Sequence, residues 1–320
     1  MRMRVVVTGG SGFIGSHVVD ALAAQDHEVC IYDLEAPRHA PNCDYVRGDV
    51  RDVDWLAKNI KPGDRVFHLA AEANVNRFYE SPLFSNENTS QSALCALEAA
   101  RRAGASRLLL ASTEWVYGSA KADSDLEITE DCAYASNPDH LYTSAKIAAE
   151  LFCVGYWNLY GLRYTIMRYG IPFGERGRPE TVTPIFIRRI LGGEPIRIHG
   201  DGSQHRQFIY VKDLAEGNVA CLRESACNEV FNLNGAEKIT VLQVVSTLER
   251  ILGKKAKVEF VEDRKGNFKG RFISSEKARR LLGWEPRHCY EEALALYVEH
   301  FLASAADAPR SEGLRSSSGK

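Results

Sequence analysis

The feature that most constrains this chain is a loop of three spaced glycines near its N-terminus. The stretch VVVTGGSGFIGSH, residues 5–17, places Gly9, Gly12 and Gly15 between a β-branched strand and a helix. Gly9 permits the tight turn, Gly12 lets the backbone approach a pyrophosphate, and Gly15 lets the helix pack closely on the strand. The free N–H groups at the helix start favour a bound anion. The pattern predicts a unit that holds the phosphates of a dinucleotide.

Short apolar strands alternate with helices through the first half of the chain. The predicted strands cover residues 4–8, 27–33, 65–71, 107–112 and 163–170, and the predicted helices cover 15–24, 54–59, 88–103 and 142–160. Such alternation is typical of a parallel sheet covered on both faces. The sequence therefore predicts an α/β fold with a Rossmann-type doubly wound parallel sheet.

After Gly170 the rhythm changes, because prolines punctuate a loop-rich stretch. The helices predicted there cover residues 184–191, 240–252, 275–282 and 290–302. The stretch EVFNLNG, residues 229–235, is typical of a late strand of the first sheet. We predict a dinucleotide-binding domain over 1–170, to which 211–235 returns, and a smaller C-terminal α/β lobe over 171–303. Residues 304–320 have the composition of a disordered tail.

Asp33 indicates which dinucleotide binds. It ends the second predicted strand about twenty residues after the glycine loop, where a carboxylate accepts hydrogen bonds from an adenosine ribose. Leu34 and Glu35 follow it, and no Arg or Lys is placed to receive a 2′-phosphate. Asp49 and Val50 stand at the next strand end, where an adenine edge would lie. We therefore expect NAD rather than NADP.

Tyr142 and Lys146 are the candidate reactive pair. They are four residues apart on one predicted helix, so they share a face. The ammonium of Lys146 and an oxidised nicotinamide would both stabilise a phenolate and lower the pKa of Tyr142. A phenolate can take a hydroxyl proton while hydride leaves the same carbon. Thr113, just before this helix in a strand end, would hydrogen-bond that oxygen.

Composition excludes several other classes of function. The formal net charge of -2 gives no field that favours nucleic acid or an anionic membrane. No apolar stretch approaches the length needed to cross a bilayer. The eight cysteines are scattered singly without a CxxC pair, which favours reduced thiols in the cytoplasm. We expect no nucleic-acid partner, no membrane partner and no metal.

Taken in order, the motifs resemble those of the extended short-chain dehydrogenases/reductases, in the NAD-dependent nucleotide-sugar epimerase and dehydratase family. The resemblance covers nearly the whole chain and rests on TGGSGFIGSH, Asp33, GDVRD, HLAA, ASTEWVYG, YTSAK, GDGSQHRQFIYVKD and LLGWEP. It implies NAD contacts along the strand ends, from Gly9, Gly12, Phe13, Ile14, Gly15, Asp33, Leu34, Asp49, Val50, Leu69, Ala70, Ala71, Tyr142, Lys146 and Tyr169.

The resemblance also implies a nucleoside diphosphate sugar bound under the C-terminal lobe. Arg206 and Arg264 would clamp the diphosphate, because guanidinium groups suit bidentate phosphate contacts. Glu72 and Trp115 would contact the substrate. Two positions depart from the family pattern, since Ile171 replaces an Asn and Asn267 replaces an Asp. Similar enzymes pair into homodimers through the helices corresponding to 88–103 and 142–160, which predicts a homodimer here.

The stretch STEWVYG, residues 112–118, bears on the reaction. The 4,6-dehydratases of this family read STDEVYG there, with an Asp that protonates the leaving hydroxyl and a Glu that removes the C5 proton. The related decarboxylases read STSEVYG. This chain has Glu114 and Trp115 at those two positions, and an indole cannot abstract a proton. A C4 epimerase needs no such base.

We therefore predict C4 epimerisation through a transient 4-keto sugar. A 4,6-dehydratase or a decarboxylase, a keto-sugar reductase and a non-catalytic NAD-binding protein remain alternatives. Glu114 is either a substrate contact or a remnant, and Trp115 shapes the pocket wall. His68 and His140 flank these motifs and are expected to be packing or loop residues.

Overall fold

The computed structural model describes residues 2–40, 42–118, 127–263, 270 and 272–307. A seven-stranded parallel sheet forms its centre. Its strands are β1 (Arg4–Thr8), β2 (Glu28–Asp33), β3 (Asp44–Arg47), β4 (Arg65–His68), β5 (Arg107–Thr113), β6 (Tyr164–Tyr169) and β11 (Glu229–Leu233). Their spatial order is β11–β6–β5–β4–β1–β2–β3. The predicted Rossmann-type α/β class is confirmed.

Helices cover both faces of this sheet. They are α1 (Phe13–Ala23), α2 (Val53–Asn59), α3 (Val75–Glu80), α4 (Pro82–Asn86), α5 (Ser92–Ala103), α6 (Leu141–Tyr160), α8 (Val211–Ala220) and α10 (Glu276–Leu282). Val5 and Val7 of β1 pack in a core with α1, α8 and α10, whereas Val6 packs in a second core with α2, α5 and α6. Consecutive valines therefore serve opposite faces, as expected of a strand buried on both sides.

The second part of the chain builds a smaller unit with its own core. It contains β7 (Ile171–Phe173), α7 (Val182–Gly192), β8 (Pro195–His199), β9 (His205–Arg206), β10 (Phe208–Tyr210), β12 (Ile239–Thr240), α9 (Val241–Leu252), β13 (Lys257–Val261) and α11 (Tyr290–Asp307). These strands form three two-stranded sheets, β7 with β10, β8 with β13 and β9 with β12. Between the two stretches of this unit, α8 packs on α1 and β11 pairs with β6. The predicted division at residue 170 remains a prediction.

The element ends differ from the prediction in a few places. The strand predicted over 65–71 ends at His68, and a π-helical turn over Glu87–Gln91 precedes α5. The C-terminal helix continues to Asp307, so residues 304–307 of the predicted tail are helical. The rest of that tail, 308–320, lies outside the described residues. Gly104 and Gly161 end α5 and α6 with φ of 70° and 69°, the left-handed conformation expected of a glycine cap. Within the described ranges, no helix combines the length and apolar character needed to span a membrane.

A buried ion pair fastens α6 to the sheet. Glu150 and Arg168 lie 2.7 Å apart, with side chains 0% and 4% exposed. The Ser112 hydroxyl also donates to Glu150, and so does the Tyr134 hydroxyl at 3.0 Å. Arg168 donates to the Tyr117 hydroxyl at 2.9 Å. Each charge thus has several partners, which a buried pair requires to offset its desolvation.

Removing one charge of this pair tests its contribution. Glu150→Gln keeps the side-chain shape but leaves the Arg168 guanidinium without its anion. We expect the free energy of unfolding, measured by urea denaturation, to fall by about 3–5 kcal/mol. Glu276→Gln is the matched control, because Glu276 pairs with Arg279 on the surface and such pairs contribute little. Equal effects of the two substitutions would contradict a structural role for the buried pair.

Candidate active site

The glycine loop lies at the carboxyl end of β1. Gly9 has φ of 74°, and a Cβ atom there would lie 2.6 Å from the Ala70 nitrogen. A Cβ atom on Gly15 would lie 2.0 Å from the Gly9 oxygen, so only glycine fits either position. Gly12 is exposed at the start of α1, and no side chain caps this helix. The loop therefore fits a pyrophosphate at the uncapped N–H groups of α1.

Asp33 stands beside this loop at the end of β2. Its carboxylate accepts hydrogen bonds from the Ser11 N–H at 3.0 Å and the Glu35 N–H at 3.2 Å. These amides hold the carboxylate at the mouth of the loop, with lone pairs left for a ribose. Leu34 is 55% exposed next to it. The position fits the predicted ribose contact.

The remaining strand ends complete this edge of the sheet. Asp49 pairs with Arg51 at 2.6 Å, and the hydrogen bonds from Arg51 hold the pKa of that carboxyl below its usual range. Val50 is buried. The Leu69 N–H donates to the Thr8 oxygen at 3.0 Å, so the chain after β4 runs beside the loop. The predicted adenine-side residues therefore all follow strands at the same edge of the sheet.

Tyr142 and Lys146 rise from the first turns of α6 towards the end of β5. Tyr142 is hydrogen-bonded to Thr113, and its ring meets Phe78 edge-on at 5.6 Å. The Lys146 ammonium donates to the Ala111 carbonyl at 2.9 Å. The structure thus brings the predicted Thr113, Tyr142 and Lys146 to one strand end, at the same edge of the sheet as the glycine loop.

Burial acts on both ionisable groups. It raises the pKa of Tyr142 to about 12, opposed by the hydrogen bond to Thr113 and by the positive charge of Arg178. It lowers the pKa of Lys146 to about 8, opposed by the charge of Glu150. In the state described, Tyr142 is a neutral phenol at neutral pH. The predicted lowering of its pKa by Lys146 and a nicotinamide is not seen in this state and remains a prediction.

Arg178 was missed by the sequence reasoning. Its guanidinium donates to the Ala73 carbonyl at 3.4 Å, and its positive charge acts to lower the pKa of Tyr142. The stretch GERGRP, residues 174–179, offers two arginines in a loop, but nothing in the sequence shows that one reaches the site. The other, Arg176, pairs with Asp20 at 2.7 Å.

A small cavity of about 40 Å³ is lined by residues that flank Thr113 and Tyr142 in the sequence. Its lining comprises Glu114, Trp115, Gly118, Asp139, His140, His205, Arg206, Gln207 and Ile273. Burial lowers the pKa of Arg206, while the charge of Glu114 acts to raise it. Trp115 stacks on His140 with ring centroids 4.5 Å apart. The structure therefore collects the predicted Glu114, Trp115 and Arg206 around one cavity.

Other predicted residues have different surroundings. Glu72 accepts from the Asn74 N–H at 2.8 Å and pairs with Arg77 at 3.1 Å, so both carboxylate oxygens already have partners. The Tyr169 side chain lies in the core and donates to Asn218 at 2.5 Å, which leaves only its backbone for a cofactor contact.

Some of the other predicted positions lie in the described ranges and two do not. Phe13 opens α1 and packs against the core of the second unit, while Ile14 packs against the first. The Ile171 N–H donates to the Gln207 oxygen at 3.1 Å. Arg264 and Asn267 lie outside the described residues.

Comparisons with known proteins agree with this geometry. A family model described as the NAD dependent epimerase/dehydratase family matches residues 5–233. A low-salt glycan biosynthesis protein of Haloferax volcanii is 33% identical, over 94% of this chain and 99% of that protein. The UDP-glucuronate 4-epimerase of Thermodesulfobacterium geofontis is 32% identical, over 90% of this chain and 93% of that protein.

Solved structures agree as well. The crystal structure of UDP-glucose 4-epimerase from Thermotoga maritima with UDP-glucose superposes with a TM-score of 0.86 at 31% identity, covering 95% of this chain and 100% of that one. Relatives named for another reaction match at similar identity. UDP-glucuronic acid decarboxylase 1 of Danio rerio is 30% identical, over 94% of this chain and 73% of that protein. Similarity alone therefore does not choose the reaction.

Proposed function

The chain belongs to the NAD-dependent epimerase/dehydratase family, and we propose that it inverts C4 of a nucleoside diphosphate sugar through a transient 4-keto intermediate. The observation that carries this choice is Trp115. Its indole, which cannot accept a proton, lines the cavity and stands at the sequence position where the dehydratases and decarboxylases that this chain resembles carry a Glu. The relatives named as 4-epimerases support the same choice.

NAD is the cofactor of this proposal. The glycine loop and the start of α1 would hold its phosphates, and Asp33 would accept hydrogen bonds from its adenosine ribose. The chemistry that bound NAD supplies is the reversible acceptance of a hydride from a sugar carbon. Asp33 disfavours NADP, because its carboxylate would repel a 2′-phosphate.

Tyr142 is the proposed proton carrier. It takes the proton of the C4 hydroxyl as that carbon is oxidised and returns it to the same oxygen on reduction. Thr113 positions the phenol by its hydrogen bond. Burial raises the pKa of Tyr142 to about 12 even with Thr113 and Arg178 acting to lower it. The phenolate therefore needs further positive charge, which Lys146 on the same helix and the oxidised nicotinamide of bound NAD would supply.

A second candidate is a 4,6-dehydratase or a decarboxylase acting on the same keto-sugar. Glu114 favours it, since this carboxylate lines the cavity beside Trp115 and could exchange a proton. A keto-sugar reductase would use the same Tyr142 and Lys146. The complete set of Thr113, Tyr142 and Lys146 argues against a non-catalytic NAD-binding protein.

Cofactor choice can be measured directly. We expect titration calorimetry to show tighter binding of NAD than of NADP. Asp33→Ala should weaken NAD by about 1–3 kcal/mol, because the ribose hydroxyls lose their acceptor. Asp54→Ala is the control, since that side chain is 81% exposed on α2. Binding of NADP as tight as that of NAD would refute the role given to Asp33.

The reaction can be identified from product made in deuterium oxide. UDP-glucose, UDP-glucuronic acid and dTDP-glucose form the substrate panel. An epimerase gives a product of unchanged mass, with hydrogen retained at C4 and C5, because hydride returns without meeting solvent. A dehydratase product is lighter by water and carries deuterium at C5, and a decarboxylase releases carbon dioxide.

Tyr142→Phe is the matched control for this experiment. It removes the acid/base oxygen and keeps the ring, so turnover should fall by about two to four orders of magnitude while NAD binding persists. Loss of water or carbon dioxide from the product, or carbon-bound deuterium, would end the epimerase proposal. Turnover above a tenth of wild type in Tyr142→Phe would require another base.

We also propose a homodimer formed through α5 and α6. Leu151, Trp157, Leu159 and Tyr160 of α6 are 52%, 38%, 75% and 55% exposed. Apolar surface on one helix is typical of an interface. Light scattering at low micromolar concentration should give twice the 35.6 kDa chain mass. Leu151→Glu combined with Leu159→Glu should give the single chain, and a wild-type single chain would contradict the proposal.

A cytoplasmic location completes the proposal. All eight cysteines are free thiols, and only Cys289 is exposed. Unpaired thiols are typical of a reducing compartment.

A further inference from the structure

A ring stack joins the two chain segments that carry Thr113 and Tyr142. Trp115 follows Thr113 by two residues, and His140 precedes Tyr142 by two residues. Their rings stack at 4.5 Å with an interplanar angle of 33°. The backbone N–H of Trp115 also donates to the Thr113 hydroxyl at 3.3 Å. The stack therefore links the segment that follows Thr113 to the segment that precedes Tyr142.

His140 has one ring nitrogen to spare. Its Nδ1 lies 3.1 Å from the Thr143 hydroxyl, within hydrogen-bond distance. Among the residues that the structure describes, Nε2 has no hydrogen-bond partner, and the half-buried ring lines the cavity with Trp115. The backbone carbonyl of His140 accepts hydrogen bonds from the Thr143 and Ser144 N–H groups at the start of α6, while the ring contacts Trp115 and Thr143.

The charge state of His140 follows from its surroundings. Burial lowers the pKa of the imidazole, and the charge of the neighbouring Asp139 opposes this. The other charged or titratable groups of the cavity are Glu114, His205 and Arg206. At neutral pH the ring is uncharged, so Nε2 offers a single directional hydrogen bond rather than a charge.

We propose that His140 is a specificity-determining residue that hydrogen-bonds the sugar ring through Nε2. The ligand is the hexose of a nucleoside diphosphate sugar, so the inference rests on the proposed function. Tyr142 is proposed to act at the reacting carbon. His140 precedes Tyr142 by two residues and lines the cavity. Trp115 supplies the flat apolar surface of this wall, and His140 supplies its polar contact.

Two substitutions separate the ring nitrogen from the ring stack. His140→Phe keeps an aromatic ring on Trp115 but removes both nitrogens, whereas His140→Gln places an amide at a similar reach. Calorimetry on NAD-loaded protein compares UDP-glucose, UDP-glucuronic acid and dTDP-glucose with UDP and dTDP. We expect His140→Phe to weaken the binding of the preferred sugar nucleotide about tenfold, because one hydrogen bond to the sugar is lost. The affinity for the nucleoside diphosphates should change by less than about twofold, because they lack the sugar.

The kinetic readout should show the same split. His140→Phe should raise KM more than it lowers kcat, and His140→Gln should recover most of the loss. His300→Phe, on the exposed face of α11, is the control for removing a histidine elsewhere.

Several results would overturn the inference. One is a sugar-nucleotide affinity that His140→Phe leaves unchanged. Another is an equal loss of affinity for UDP or dTDP. A third is a wild-type protein that binds no sugar nucleotide of the panel more tightly than the corresponding nucleoside diphosphate. Solvent deuterium at C5 that disappears in His140→Phe would make His140 a catalytic base instead. The binding measurement tests the role of His140 even if no epimerised product forms. If an epimerised product forms but His140→Phe binds the sugar nucleotide as tightly as wild type, only the role of His140 is rejected.

Discussion

The buried pair of Glu150 and Arg168 is the interaction on which the placement of the site depends. Glu150 lies on α6 one turn after Lys146 and two turns after Tyr142, and Arg168 lies on β6 beside β5. The pair therefore fixes the rotation of α6 against the strand that ends in Thr113. Its hydrogen bonds from Ser112 and Tyr134 bind the same carboxylate from two further segments. A helix held in this way presents Tyr142 and Lys146 in one orientation only.

The parallel sheet explains why the other groups meet at one edge. The carboxyl ends of neighbouring parallel strands lie together, and ligands of such folds bind outside them. The glycine loop follows β1, Asp33 ends β2 and Thr113 ends β5, although up to a hundred residues separate them. The second unit adds Arg206 from β9 to the cavity near Glu114. The chemistry proposed for the site thus draws on groups from several strands and from α6, which carries both Tyr142 and Lys146.

Local sequence signals predicted much of this arrangement. The glycines, Asp33 and the Tyr142–Lys146 spacing are short-range patterns tied to one strand or helix, so they could be read directly. Contacts between distant segments could not. The hydrogen bond from Arg178 to Ala73 and the stack of Trp115 on His140 depend on how loops fold back. The direction of the Tyr169 side chain could not be predicted either, because it depends on the packing of the core in which it lies.

The buried lysine has a consequence for laboratory evolution of the protein. Burial lowers the pKa of Lys146 to about 8, so the folded chain holds this proton less tightly than an unfolded chain does, and a charged Lys146 opposes folding at neutral pH. The catalytic role proposed for Lys146 would place it among the functional groups that lower the stability of a protein. A library selected for heat resistance alone would therefore enrich variants with an apolar residue at position 146. Selection must include turnover from the first round, or it will converge on robust proteins that no longer react.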